Sequence, residues 1–297
     1  MSKILVHLHL YYHDQVDFFI DKLKNIDGVD WDLIVTYSSE LKQTTNKILN
    51  FKKNAQFLKV DNVGYDILPF IQAIRSVNPE DYSLVLKLHT KRGYPKQNRN
   101  GQWIDYSWRN SLVDSLIGSK QIFNKNLKLF EKDPQIGMVS SLRYYQKRDF
   151  YDQYVAKELN NLGLYKKDRH TAMGAMFLIR ADVLSPLKSD SIRLDKFYSQ
   201  ENKSGQSISM AHIYERIFSH LPVNFGLRHK AVAISRSEAL SLGLKRTLEE
   251  TARIFFVMGR KGPSKKKIIK IFGIKIYESK RGKAEADAQK LKELFNE

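Results

Sequence analysis

Residues 82–92 read Tyr-Ser-Leu-Val-Leu-Lys-Leu-His-Thr-Lys-Arg, an apolar run that ends in four polar side chains. A short run of this kind, flanked by polar residues, reads as a buried strand. The strand spans Tyr82–Leu88, and His89–Arg92 is the turn leaving its carboxyl end. Working back toward the amino terminus, Ile67, Phe70, Ile71 and Ile74 repeat at helical spacing, with Asp66 placed to cap the helix and Pro69 in its first turn. Gln56–Val60 reads as a strand, Glu40–Phe51 as a weaker helix and Asp32–Tyr37 as a strand. Val16, Phe19, Ile20 and Leu23 share one helical face behind Asp14, and Ile4–Leu10 is the first strand. Strands alternating with helices at this spacing imply βαβ crossovers and a mostly parallel sheet flanked by helices. Ligands of such sheets meet the carboxyl ends of the strands, which directs attention to two turns, Asp61–Asp66 and His89–Arg92.

Past residue 92 the pattern loosens. Gly93–Tyr106 is rich in Gly, Pro and Asn and reads as a mobile loop. Ile122, Phe123, Leu127 and Phe130 form a helical face behind Ser119. Ile136–Ser140 and Met173–Arg180 read as strands, Ser207 as the cap of a helix reaching His220, and Glu238–Met258 as helical. The 297 residues include 42% apolar and 28% charged side chains, which fits a globular α/β protein and excludes global disorder. Without cysteine there is no disulfide scaffold, thiolate nucleophile or Cys-ligated zinc. The opening MSKILVHLHLYYHD reads as a strand rather than a signal peptide, and no apolar run approaches the roughly 20 residues of a membrane span.

The net charge of +18 is unevenly spread. Ten Lys or Arg and one acid, Glu278, fall between Arg260 and Lys283, so half the surplus lies in 24 residues. Ile268, Ile269, Ile271, Phe272, Ile274 and Ile276 are threaded among these lysines, a basic amphipathic tail suited to an anionic leaflet. The alternative for this tail is a solvated hairpin or helix.

Several short patterns carry chemistry. Lys87, Thr90, Lys91 and Arg92 surround His89 at a strand end; Lys91 and Arg92 suit a diphosphate, and His89 suits hydrogen bonding or proton transfer. Their alternative is a polar strand end with solvated charges. Asn62, Gly64 and Asp66 form a tight turn into a helix, where Asp66 either bonds a ribose or base or, as the simpler reading, only caps its helix. His212 and Glu215 share a helical face, with Glu215 a candidate general base or an exposed acid paired with Arg216. Trp108 and Arg109 open a helix as an aromatic–guanidinium pair that clamps a ligand or anchors the loop. Asp30-Trp31-Asp32 precedes its strand and so lies at the wrong end for a carboxyl-edge metal site. His7 and His9 point the same way within the first strand and read as packing or polar-face residues. No G-x-S-x-G, P-loop or G-x-G-x-x-G is present.

In order, these patterns are Asn62-x-Gly64-x-Asp66, Pro69-Phe70, Lys87–Arg92, Trp108-Arg109, Ile136–Val139, Gly174-x-Met176-Phe177-x-x-Arg180 and Ala211-His212-x-x-Glu215-Arg216-x-Phe218. Their succession over residues 1–230 resembles the rhamnan synthesis protein F family, whose members are associated with bacterial cell-surface polysaccharide assembly and are regarded as glycosyltransferases. The chain departs from the family at Tyr65, where members usually carry Arg, and this removes support for an anion-binding role there. The block order is also similar to the GT-A class of nucleotide-sugar transferases, in which a D-x-D holds a metal-bound diphosphate. His89-Thr90-Lys91 stands in that place here.

The resemblance implies a GT-A-like domain over 1–230, divided into a nucleotide-binding half (1–92) and an acceptor half (93–230). A helical extension (231–259) and a membrane-associating tail (260–297) follow. It implies catalytic roles for Glu215, His89 and His212, donor contacts from Asn62, Gly64, Asp66, Lys87, Thr90, Lys91, Arg92 and Arg109, and acceptor contacts from Trp108, Gly174 and Met176. Fixed cations in place of a metal clamp imply a transfer that requires no metal, with Mn²⁺ or Mg²⁺ the alternative, Asp66 and His229 being the side chains left to meet an ion. The expected activity moves rhamnose from dTDP-rhamnose, or galactose or another hexose from a UDP-sugar, onto a lipid-linked surface polysaccharide. The expected setting is the cytoplasmic face of the plasma membrane. Two other classes compete: a non-catalytic scaffold of a polysaccharide synthase, and a nucleic-acid-binding protein, which the absence of any recognisable module disfavours.

Overall fold

All six residues of Ile4–His9 are buried, as are all six of Leu84–His89, the sign of strands covered on both faces. The computed structural model describes residues 3–278 except 42, 100, 148–151, 166–167, 169, 199–208, 262–265 and 272–273, with side chains described as far as residue 245 other than 98. The strands are β1 Ile4–His9, β2 Trp31–Tyr37, β3 Gln56–Lys59, β4 Leu84–His89, β5 Tyr94–Asn98, β6 Gly101–Asp105, β7 Ile136–Ser141, β8 Tyr145–Gln146, β9 Thr171–Ala172, β10 Phe177–Arg180, β11 Arg228–Val232, β12 Phe256–Lys261, β13 Lys266–Ile271 and β14 Ile274–Glu278. The helices are α1 Val16–Leu23, α2 Gln43–Phe51, α3 Ile67–Arg75, α4 Ser107–Ile117, α5 Lys120–Lys132, α6 Asp152–Asn161, α7 Asp195–Tyr198, α8 Met210–Asn224 and α9 Arg236–Phe255.

Among the described residues a seven-stranded sheet runs β11-β7-β10-β4-β1-β2-β3. It is mostly parallel, as the alternation of strands and helices requires; β10 is the exception, antiparallel to both β4 and β7. The fold is therefore α/β with a mostly parallel central sheet flanked by helices. Because side chains alternate across a strand, β1 sends Ile4, Val6 and Leu8 to one face and Leu5, His7 and His9 to the other. The first set packs with α1, α4 and α5 through Phe19, Leu112, Phe123 and Leu127. The second face packs with α3 and α8 through Phe70, Ile71, Tyr214 and Phe218. Each such side chain contributes about 1.5–3 kcal/mol by leaving water. Along this second face the core is apolar at Leu5, Ile34 and Val85 and turns polar toward the carboxyl ends, at His7, His9, Thr36, Lys87 and His89, all buried.

Three local expectations are corrected. Gly93–Tyr106 is no mobile loop: β5 and β6 form an antiparallel hairpin in which Tyr94 pairs with Asp105 and Lys96 with Trp103, and a Lys96–Asp105 ion pair joins the strands. Asp14 does not cap α1, since it lies within a 3₁₀ turn, His13–Gln15, and no side chain caps that helix. The helix expected to reach Met258 ends at Phe255 and gives way to the sheet β12-β13-β14, in which Phe256–Lys261, Lys266–Ile271 and Ile274–Glu278 pair as antiparallel strands. Ser119 does cap α5, accepting from the Ile122 N–H. Ser207 lies outside the described residues, and Ser209 occupies the cap position of α8. No helix among the described residues is long and apolar enough to cross a membrane.

Candidate active site

A cleft of about 340 Å³ opens at the carboxyl ends of β1 and β4, the place the sheet rule indicates. It is lined by His9, Tyr11, Tyr12, Asn62, Tyr65, Asp66, His89, Thr90, Lys91, Arg92, Tyr94 and Trp108. The turn that delivers Asp66 depends on Gly64, which has φ +69°; a Cβ there would fall 2.6 Å from Leu68 Cβ and 2.9 Å from Phe197 Cδ1. Tyr65 follows with φ +54°, a left-handed residue that leaves its ring exposed on the cleft wall. Asp66 reaches the N-cap position of α3, but its side chain makes no capping bond. It accepts instead from Lys87 Nζ at 2.5 Å and lies 3.3 Å from His89 Nδ1. Capping, the simpler reading of this aspartate, is thus displaced by an ion pair, because a buried ammonium directly beneath it has the stronger demand for a carboxylate.

Burial alone would raise Asp66, but its interactions with His89 and Lys87 and the Lys87 hydrogen bond outweigh it and hold the carboxyl well below the usual range. Burial pushes His7 and His89 well below the ordinary imidazole value and His9 down to about 4, so all three are neutral at pH 7. Thr36 Oγ1 meets His7 Nε2 at 2.9 Å and His9 Nδ1 at 3.0 Å. A hydroxyl has one proton, so it donates to one ring while the other donates to it.

The walls are aromatic and cationic. Lys91 Nζ stands 3.7 Å from the Trp108 ring centroid, Tyr94 stacks on Trp108 at 6.5 Å, and the Arg92 guanidinium lies 4.8 Å from the Tyr12 ring. Thr90 Oγ1 accepts from the backbone N–H groups of Tyr11 and Tyr12, tying the β1 exit to the β4 exit. The Gln15 amide clamps Lys91 twice, donating to its carbonyl and accepting from its N–H. Lys91 is half-buried and Arg92 exposed. An aromatic slot with two cations and one fixed carboxylate can hold a flat ring and a diphosphate.

The cleft thus gathers five expected donor residues, Asn62, Asp66, Thr90, Lys91 and Arg92, and one expected catalytic residue, His89, with Gly64 shaping the turn beneath. Trp108, expected on the acceptor side, also lines it. Lys87 does not reach the cleft, because its side chain is fully buried under Asp66. Arg109 turns away, its guanidinium held 3.7 Å from the Phe18 ring and 4.1 Å from Tyr106 while it donates to Asn110 Oδ1. Met176 is 1% exposed in the core against α4 and α5, so it is no acceptor contact. Glu215 and His212 stand on α8 outside the cleft lining. Glu215 Oε1 accepts from the Gly174 N–H at 2.7 Å, and His212 Nδ1 bonds Ser209 Oγ while its ring meets Tyr65 at 5.8 Å. His229 bonds Ser140 and packs on Tyr145 near the other edge of the sheet, so it and Asp66 do not share a site. Sequence reading missed His9, Tyr11, Tyr12 and Tyr94. The first strand's own carboxyl end was the available signal for the first three.

A family model described as rhamnan synthesis protein F matches residues 1–227, a span that contains every residue of the cleft. The chain belongs to the rhamnan synthesis protein F family. Within curated proteins, this family member is 25% identical over 246 residues to the uncharacterized protein WxcX of Xanthomonas campestris pv. campestris, in strains B100 and ATCC 33913. The match covers 81% of the chain and 33% of WxcX, so the chain spans about a third of the length of the curated relatives it matches. Among solved structures, the family member is similar to S. aureus TarS 1–349 in complex with UDP, with TM-score 0.36, 11% identity, and 62% and 48% of the two chains covered. It is similar to glucosyl-3-phosphoglycerate synthase of Mycobacterium tuberculosis with Mn²⁺ and UDP, with TM-score 0.30, 13% identity, and 62% and 58% covered. A third is 4-diphosphocytidyl-2C-methyl-D-erythritol synthase of Anaerococcus prevotii, with TM-score 0.39, 9% identity, and 83% and 96% covered.

Proposed function

We propose that this chain is a nucleotide-sugar-dependent glycosyltransferase acting in bacterial surface-polysaccharide assembly. The observation that carries the reading is the juxtaposition of Lys91 and Arg92 with the aromatic rings of Tyr12 and Trp108 at the carboxyl edge of β1 and β4. Family membership supports the same activity. Rhamnose from dTDP-rhamnose is the first donor to test and galactose or another hexose from a UDP-sugar the second, with a lipid-linked glycan as acceptor.

In the proposed reaction an acceptor hydroxyl attacks the anomeric carbon, the bond to the diphosphate breaks, and Glu215 takes the hydroxyl proton. Lys91 and Arg92 offset the charge that develops on the departing diphosphate. Glu215 suits the role of base because burial raises its carboxyl, while the Gly174 N–H that opposes this shift holds it in place. A metal-independent transfer is the matching proposal. What supports it is that Asp66, the carboxylate of the cleft, is already bonded to the Lys87 ammonium and so is engaged without an ion.

Thermal shift with dTDP, UDP, GDP and CDP and their sugars, in Mn²⁺ and in EDTA, tests this reading. A ligand at a hundred times its dissociation constant adds about 2.7 kcal/mol. Selective stabilisation that persists in EDTA is the expected result, and no shift with any nucleotide would overturn it. Lys91→Ala and Arg92→Ala should each weaken diphosphate binding by about 1.5–3 kcal/mol, roughly tenfold or more, without lowering the melting temperature of the free protein.

The basic segment supports a second element of the proposal, attachment to an anionic membrane face. Each lysine near such a surface contributes about 1 kcal/mol. Replacing Lys266, Lys267, Lys270 and Lys275 with Gln should therefore weaken binding to phosphatidylglycerol vesicles by about a thousandfold in a sedimentation assay. Unchanged sedimentation would end the attachment idea.

A further inference from the structure

Lys87 is an unusual core residue: a fully buried ammonium, between Phe70 at 5.4 Å and Phe177 at 6.0 Å from their ring centroids. Burying a cation carries a desolvation penalty that the ion pair it forms only partly offsets, so stability alone is a weak account of its presence. Its two hydrogen bonds give a better one. Nζ donates to Asp66 Oδ2 at 2.5 Å and to the Ala175 carbonyl at 2.9 Å. Ala175 has φ +46° and Gly174 before it φ +88°, so the accepting carbonyl belongs to a two-residue left-handed turn. The same turn aims the Gly174 N–H at Glu215 Oε1, 2.7 Å away. Glycine is what this turn requires, since L side chains rarely adopt φ +88° and an added Cβ would also press on Leu112 Cδ1 at 2.7 Å.

We propose that Lys87 is a positioning residue that sets two carboxylates from within the core, Asp66 of the cleft directly and Glu215 of α8 through the Gly174–Ala175 turn. One dipeptide carries both halves of the second connection: its carbonyl is held by Lys87 and its N–H holds the glutamate. Without Lys87 the Ala175 carbonyl is buried without that donor, the left-handed turn loses its tether, and Glu215 loses the fixed donor that orients it. At the same time Asp66 faces the neutral His7, His9 and His89 with its buried countercharge gone. The remaining charged or titratable groups that act on it come from the β4 exit, Lys91, and from α8, His212 and Glu215. The role of Glu215 in this coupling rests on the proposed transferase reading; the geometric coupling does not.

The experiment follows the Gly174 amide by ¹H–¹⁵N NMR in glycine-labelled protein and the Asp66 carboxyl by ¹³C NMR across pH, in wild type and in Lys87→Met. The expected result is a displaced Gly174 amide resonance and an Asp66 titration moved up by about one pH unit or more. With a nucleotide sugar that stabilises the wild type, the variant should lose at least about tenfold in kcat per folded molecule. A folded variant with an unmoved Gly174 resonance and an unmoved Asp66 titration would overturn the proposal and leave Lys87 as a packing residue. If Lys87→Met does not fold, Lys87→Met combined with Asp66→Asn removes the uncompensated buried charge, and its Gly174 resonance decides in the same way. A wild type that turns over no nucleotide sugar would refute the transferase reading while the two NMR measurements still judge Lys87.

Discussion

Replacing Glu215 with Gln should lower turnover by about 10²–10⁴-fold while leaving nucleotide affinity unchanged. The amide is the same shape and its oxygen can still accept from the Gly174 N–H, so the turn and α8 keep their packing. What disappears is the group that takes the proton. Glu215 is mostly shielded, with 15% of its side chain exposed, and burial raises its carboxyl above the ordinary 4.5 against the pull of the Gly174 N–H. A base works only when deprotonated. Wild-type turnover should therefore fall as pH drops through this raised value, at a pH above that of an ordinary glutamate. In Glu215→Gln the residual rate should lose that acid limb. Isothermal titration with the nucleoside diphosphate and a pH–rate profile check both halves, and normal turnover in the variant would remove Glu215 as the base.

The second large effect concerns stability. Phe70 on α3 is fully buried and meets Phe177 at 5.8 Å and Phe218 at 5.3 Å, both nearly edge-on, with the His7 ring 5.3 Å away. It also forms one wall of the Lys87 site. Phe70→Ala should destabilise the protein by about 3–5 kcal/mol, the transfer term of a large ring plus a cavity that neighbours from α3, α8 and β10 cannot all collapse into. Urea denaturation followed by circular dichroism measures this. A loss under about 1 kcal/mol would mean that the cluster repacks around the missing ring.

Much of the architecture was legible because local chemistry and tertiary role agreed. Leu84, Val85, Leu86 and Leu88 set apolar side chains on both faces, which reads as an interior strand even with Lys87 among them, and Ser119 caps α5 by a bond that spans three residues. The hairpin 94–105 was misread because Gly, Pro and Asn mark turns whether or not strands flank them, and the pairing of Tyr94 with Asp105 is a contact the local pattern does not encode. The site was legible in outline for a similar reason. Polar residues at a strand's carboxyl end announce themselves, so Lys91, Arg92 and Asp66 stood out. Tyr11 and Tyr12 did not, since two tyrosines after an apolar run look like ordinary strand-end residues until Thr90 from β4 is seen to accept from both backbones.

By itself the sequence determined the α/β class, the succession of strands and helices through residue 92, the family, and the basic character of residues 260–283. These follow from periodicity, composition and the order of short motifs, all of which are local. Only the tertiary structure decided which polar residues face the cleft. Arg109 and Lys87 carry charges suited to a diphosphate, yet one is stacked on Phe18 and the other is sealed beneath Asp66. The physical reason is that a charge acts where its side chain ends, and that end point is set by neighbours from distant parts of the chain. Lys87 meets Asp66 from the N-cap of α3 and Ala175 from the β9–β10 turn, 21 residues before it and 88 after it, and only the folded sheet brings the three together.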